Sequence, residues 1–160
     1  MAEPRWLNED EQRTWRAFLA ATQLVRDQLE RELQCDAGMP HAHYEILVNL
    51  SEAPDRMLRM SELAERSLSS RSRLSHAVDR LEQIGWIERV ECPEDKRGAY
   101  AHLTAKGFGV LERAAGRHVE AVRTYLFDPL TPRQVTELGD MCETLLRHLV
   151  RGRAAPSTDA

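Results

Sequence analysis

From Ser69 to Arg80 the chain reads Ser-Ser-Arg-Ser-Arg-Leu-Ser-His-Ala-Val-Asp-Arg, dense in hydrogen-bond donors and nearly free of acid. If this stretch is helical, Ser72, Ser75, His76, Asp79 and Gln83 share one face, with Arg73 and Arg80 flanking them two turns apart. Leu74, Ala77, Val78, Leu81 and Ile84 fall on the opposite face, which packs down. Guanidinium groups hold guanine edges or phosphates, and hydroxyls and imidazole reach either. A ridge of such donors has the chemistry to enter a DNA major groove. A second group follows at Cys92-Pro93-Glu94-Asp95-Lys96-Arg97-Gly98. There Lys96 suits phosphate contact and Arg97 suits a narrow minor groove, with Asp95 holding the guanidinium by a charge-assisted bond.

Both groups need elements to position them. Ser61 is the expected N-cap of a short helix through Arg66, with Glu62 and Glu65 near its start and Leu63 and Ala64 facing inward. Ser69 or Ser70 caps the arginine-bearing helix after a brief turn, and Gly85 ends it. Two short helices so joined form a helix-turn-helix. Trp86–Glu91 and Ala99–Leu103 then read as strands bracketing the Lys96-Arg97 loop, a wing, and Met57–Arg59 supplies a third strand beside it. The expected class is mainly α with a small β-wing.

With these residues in hand, the chain resembles the MarR family of bacterial winged-helix regulators, specifically a subgroup common in actinobacteria. The resemblance rests on Leu81-Glu82, Gly85-Trp86-Ile87, Arg89, the tip Asp95-Lys96-Arg97-Gly98, Leu103-Thr104 and Gly107. Ser70 to His76 and Tyr44 to Leu47 match as well, and the similarity covers about residues 10 to 150. It implies a DNA-binding transcriptional regulator, a repressor by expectation, acting as a homodimer on a pseudo-palindromic operator. It also implies that a small-molecule effector, aromatic or phenolic, or an oxidant lowers the affinity for double-stranded DNA.

Within that framework Ser69, Ser70, Arg71, Ser72, Arg73, Ser75, His76 and Arg80 are the expected DNA contacts on the helix, and Asp95, Lys96 and Arg97 those on the wing. Arg73 is best placed for a guanine. Arg71, nearer the apolar side, is as readily a phosphate or structural contact, and Arg80 meets phosphate or its own neighbours Asp79 and Glu82. For the effector, Trp15, His41, His43, Tyr44 and His118 can line a crevice beside the reading head. Competing with that, Trp15 and Tyr44 fit a core, His41 and His43 a solvated helix start, and His118 a buried, hydrogen-bonded position.

The rest of the chain reads as long helices. Asn8 with Glu11 forms a capping box opening a helix to about Leu33; Pro40 starts another through Leu50; Thr104 caps a third through Leu126. Thr131-Pro132, a cap and an N1 proline, starts the last, where Val135, Leu138, Cys142, Leu145 and Leu149 keep a 3, 4, 3, 4 spacing. Two heads about 34–36 Å apart read successive major grooves, so the helices of about 8–34 and 105–150 are the expected dimerisation elements. The main domain spans 8–150, with the head at about 57–104 and a disordered tail at 151–160.

At 160 residues the chain is one domain by length, and its net charge of −4 opposes a uniformly DNA-binding surface. The distribution answers this: Arg66 to Arg80 holds four arginines and one aspartate. With no signal-peptide pattern or bilayer-length apolar run, a cytoplasmic place is expected. Cys35, Cys92 and Cys142 form no metal or disulfide framework. Neither cofactor nor metal is expected, and no nucleophile elbow or phosphate-cradling glycine loop points to an enzyme. The alternatives are a thiol-responsive regulator through Cys92, a metal-responsive one through Cys35, His41 or His43, and His118, or a winged-helix protein-interaction module. The metal version lacks a second histidine one turn after His118, where Val122 stands.

Overall fold

A computed structural model describes residues 3–91 and 98–154. The chain divides into two compact units, Met1–Ala121 and Val122–Ala160.

The first unit opens as the capping box requires. Asn8 Oδ1 accepts the Glu11 N–H at 2.8 Å and Glu11 Oε2 accepts the Asn8 N–H at 2.8 Å. Helix α1 (Glu9–Ala37) outruns its expected end near Leu33 and stops at Gly38, whose φ of 62° is the left-handed cap. The apolar periodicity fades at Gln34-Cys35-Asp36, but no residue there forces an end. Pro40 is the N-cap of α2 (His41–Ser51), one residue before the helix proper, because its ψ of 147° is extended.

A short turn at Pro54–Arg56 leads into β1 (Met57–Arg59), α3 (Met60–Arg66), α4 (Arg71–Gln83), β2 (Ile87–Glu91), β3 (Ala99–Leu103) and α5 (Ala105–Val122). The sheet is antiparallel in the order β1-β3-β2, with Leu58 and Arg89 both opposite Ala101 and Glu91 opposite Ala99. The fold is thus mainly helical with a three-stranded wing, as expected.

Ser61 does not cap α3. The N-cap is Arg59, which makes no side-chain cap bond, because β1 runs straight into the helix and leaves Ser61 inside its first turn. Ser70 does cap α4, its Oγ accepting the Arg73 N–H at 3.3 Å. Helix α4 closes with the Gly85 N–H on the Glu82 carbonyl (2.9 Å) and the Trp86 N–H on the Leu81 carbonyl (2.9 Å), with Gly85 at φ 76°. That paired arrangement is a Schellman motif, and glycine meets its left-handed position without strain.

Leu47, Leu50, Leu63, Leu74, Val78, Leu81, Ile87, Ala101 and Leu103 form the head's core, each at 2% exposure or less. Each large one contributes about 1.5–3 kcal/mol through burial. Ile84, assigned to this face by the wheel, is instead 42% exposed, since it is the C-cap where the helix ends. Thr104 fastens α5 to the head, donating to the Gly85 carbonyl at 2.8 Å and accepting the Gly107 N–H at 3.0 Å. A Cβ on Gly107 would overlap the Trp86 carbonyl oxygen and lie 2.8 Å from Leu103 Cδ1.

The second unit begins where α5 gives way to a π turn, Arg123–Phe127, closed by the Asp128 N–H on the Arg123 carbonyl at 2.8 Å. The helix expected through Leu126 therefore widens in its last turn. Helix α6 (Pro132–Ala154) starts at Thr131, whose N–H and hydroxyl both reach Gln134 Oε1 at 2.9 and 3.0 Å. Its backbone stays helical through Ala154, four residues into the expected tail. Among the described residues no helix is long and apolar enough to cross a membrane.

Candidate nucleic-acid interface

Helix α4 presents the donor ridge outward. Arg71, Ser72, Arg73, His76, Arg80 and Gln83 are exposed, while Leu74, Val78 and Leu81 are buried. Among the described residues no carboxylate pairs with Arg71, Arg73 or Arg80. Asp79 and Glu82, offered by the sequence as partners for Arg80, are engaged elsewhere.

Their partner is Arg89 on β2. Its Nη1 lies 2.6 Å from Asp79 Oδ1 and 2.8 Å from Glu82 Oε2, and its backbone N–H donates to Glu82 Oε1 at 3.0 Å. Its Nη2 reaches the Ser75 carbonyl and hydroxyl at 3.4 Å. Burial by itself would lower the Arg89 pKa, but hydrogen bonds and charge from Asp79 and Glu82 outweigh it and hold the group above its ordinary value. One guanidinium therefore clamps the outward helix to the wing strand. The sequence marked Arg89 only as part of the family resemblance, because a bond from strand to helix leaves no local pattern.

Between the start of α4 and the base of the wing lies an open cleft of about 670 Å³, lined by Arg59, Arg71, Ser72, Ser75, Arg89 and Ala99 among others. Arg59 Nε donates to the Tyr100 hydroxyl at 3.1 Å, so β1 also brings a cation to this cleft. The sequence marked Arg59 only as the end of the third strand, not as part of a cleft. Ser69, in the turn before α4, is half-buried. Asp95, Lys96, Arg97 and Cys92 lie outside the described residues; β2 and β3 run to either side of them with Glu91 opposite Ala99.

A smaller crevice of about 290 Å³ gathers three of the five expected effector residues, His41, Tyr44 and His118. The Tyr44 and His118 rings stand 4.3 Å apart and the His41 and His118 rings 5.5 Å. Burial and then the nearby His41 push the His118 pKa down, and burial pushes Tyr44 up. His118 Nδ1 is buried with no hydrogen-bond partner, so the hydrogen-bonded imidazole foreseen as its structural role is not what the fold provides.

The crevice also takes in Ser67 and Leu68, which the sequence did not flag. Ser67 Oγ is likewise buried without a partner. Leu68 sits at φ 47° and is 60% exposed, in the turn between α3 and α4, a position that favours glycine. Trp15 and His43 lie elsewhere. Trp15 is 52% exposed on α1, stacked on Phe18 at 6.3 Å, and so belongs neither to this crevice nor to the core. His43 is about 200° around α2 from His41 and faces α4 instead. Among the described residues no three His, Cys, Asp or Glu side chains are gathered as a metal site would need.

The MarR family model matches residues 37–98, which take in α2 through β2 and so the ridge and its clamp. A MarR family transcriptional regulator from Streptomyces coelicolor, solved in complex with DNA, is 50% identical at a TM-score of 0.88, covering 98% of this chain and 96% of that one. The chain belongs to the MarR family. It is 32% identical over 93 residues to the HTH-type transcriptional regulator PecS of Dickeya dadantii, 58% of this chain and 55% of PecS. It is also 32% identical over 111 residues to the HTH-type transcriptional repressor YetL of Bacillus subtilis, 68% of this chain and 66% of YetL. The matched span is thus between about half and two thirds of these curated relatives.

Proposed function

We propose that this MarR family member is a sequence-specific DNA-binding transcriptional regulator, a cytoplasmic repressor that grips a pseudo-palindromic operator as a homodimer. The observation that carries this is the row of outward arginines on α4, without carboxylate partners among the described residues, since Arg89 has taken both Asp79 and Glu82 beside Arg80. Ser70, Ser72, Ser75 and His76 supply further contacts, with Ser69 at the approach. Arg73 reads a guanine, worth roughly 1–3 kcal/mol of discrimination if bidentate. Arg71 and Arg80 meet phosphate. At the wing, Lys96 holds phosphate and Arg97 enters the minor groove, positioned by Asp95.

The homodimer reading rests on uncovered apolar surface. On α6 Met141, Leu145, Leu146, Leu149 and Val150 are exposed, and on α1 Trp15, Phe18 and Leu19 are too. Helices that bring such faces to water are suited to pairing with a second copy, which sets two heads one DNA turn apart.

The crevice by His118 suits a small aromatic or phenolic effector. Tyr44 and His118 offer ring faces, and His118 Nδ1 and Ser67 Oγ are polar atoms lacking partners. Because Ser67 and Leu68 belong to the turn that launches α4, a ligand there shifts the reading helix and lowers DNA affinity. Fluorescence anisotropy with DNA from upstream of its own gene tests the whole reading. Tight, salt-sensitive binding that prefers this duplex over a scrambled one is the expected result.

A further inference from the structure

We infer that the groove between the first turn of α2 and the outward face of α4 is a second seat for DNA phosphate, with His43 and Arg80 as its contacts. The inference rests on the DNA-binding reading and extends it to an element that reading does not use. The groove holds about 520 Å³ and is lined by Ala42 and His43 from α2 and by His76, Asp79, Arg80 and Gln83 from α4. It adjoins the exposed ridge on the side away from the 670 Å³ cleft that contains Arg59, Arg71 and Arg89. Helix α4 is therefore a ridge with a trough on each side, each reached by at least one arginine. A helix in the major groove, about 12 Å wide, has a phosphate strand along each flank, and this shape receives both.

Charge agrees with shape. Asp79 would repel a phosphate, but its carboxylate is held by Arg89 at 2.6 Å. Arg80 has no carboxylate partner among the described residues, and its field reaches His43. Burial first and Arg80 second lower the His43 pKa, with Glu30 opposing them. An arriving phosphate offsets that positive field and accepts a hydrogen bond from the imidazole. His43 thus belongs to the DNA face, not to the effector crevice where its neighbour His41 points.

The test uses the full chain and two duplexes, upstream DNA and a scrambled control, with affinity followed across salt concentration. Phosphate contact is blind to sequence, so either duplex reports it. Arg80→Ala is expected to reduce the salt slope by about 0.9, the value for one lost phosphate contact. His43→Glu is expected to weaken both duplexes equally, by on the order of tenfold, whereas His43→Lys retains or raises affinity. Circular dichroism of each variant guards against misfolding, and His43→Lys provides a second fold-neutral probe. His43→Glu affinities within about twofold of wild type on both duplexes, or an Arg80→Ala salt slope equal to that of wild type, overturn the second seat, and normal wild-type binding leaves the regulator intact. Weakening confined to the upstream duplex assigns the groove to base reading and also overturns it. Failure of wild type on both duplexes removes the DNA reading itself, and the groove with it.

Discussion

The reading head and the terminal helices treat their apolar residues in opposite ways. In the head, Leu47, Leu50, Leu63, Val78 and Leu81 have no exposure at all, and the outward face of α4 carries the exposed Arg71, Arg73 and Arg80. On α6, Leu149 is 60% exposed, Met141 58% and Val150 52%, while Trp15 on α1 is 52% exposed. A single copy completes one of these regions and leaves the other open. On the proposed reading the head is a finished module that meets a charged partner, while α1 and α6 each keep an apolar face that a second copy would cover.

That contrast can be attacked from its finished side first. Gly107→Ala drives a methyl into the Trp86 carbonyl and Leu103, where both walls are fixed by the core. A loss of about 3 kcal/mol is expected, seen as a fall in Tm of roughly 10 °C. On the open side, Leu145→Glu with Leu149→Glu should leave the head folded yet convert a dimer to monomer in sedimentation, with DNA affinity falling by at least about tenfold because one head reads one half-site. Unchanged sedimentation would move the dimer contact away from α6.

Smaller changes sharpen the picture of the head. Arg89→Ala removes a partly exposed clamp, so about 1 kcal/mol of stability is at stake by chemical denaturation. DNA affinity should drop by more than that, since α4 loses its tie to β2 and Asp79 and Glu82 become free to repel phosphate.

His118 gives a pH signature. Its folded pKa lies below the unfolded 6.5, so the unfolded chain takes up protons first. Stability therefore declines as pH falls from above 6.5 through the folded value, then levels off. His118→Gln should flatten the part of the Tm profile between pH 7.5 and 5 that this group contributes. The smallest effect belongs to Leu68→Asn. Asparagine tolerates the left-handed turn, so a gain of about 0.5 kcal/mol is expected, together with weaker response to a crevice ligand.

How much of this could be read without coordinates depended on range. Asn8 with Glu11, Gly85, Ala99–Leu103 and Thr131 carry their meaning within a few residues, and each sits where its local chemistry put it. The exposed and buried faces of α4 followed from spacing alone, apart from Ile84 at the C-cap. What escaped was chemistry assembled across the fold. Arg89 meets Asp79 and Glu82 only because β2 turns back under α4, and Ser67 and His118 line one crevice from a turn and a helix far apart in sequence. His41 and His43, two apart in sequence and alike in type, were grouped together, yet a 200° rotation sends them to different cavities. Ser61 failed as a cap because β1 extends to Arg59, a constraint imposed by pairing with Tyr100.

The most direct test is a titration of the full chain, wild type and Arg73→Ala, on upstream and scrambled duplexes at two salt concentrations. The account predicts two chains per upstream duplex, steep loss of binding with salt, and a preference for the upstream duplex that Arg73→Ala abolishes while nonspecific affinity survives. Binding that ignores salt, or an Arg73→Ala variant that keeps full preference, would contradict the claim that α4 reads DNA through its unpaired arginines.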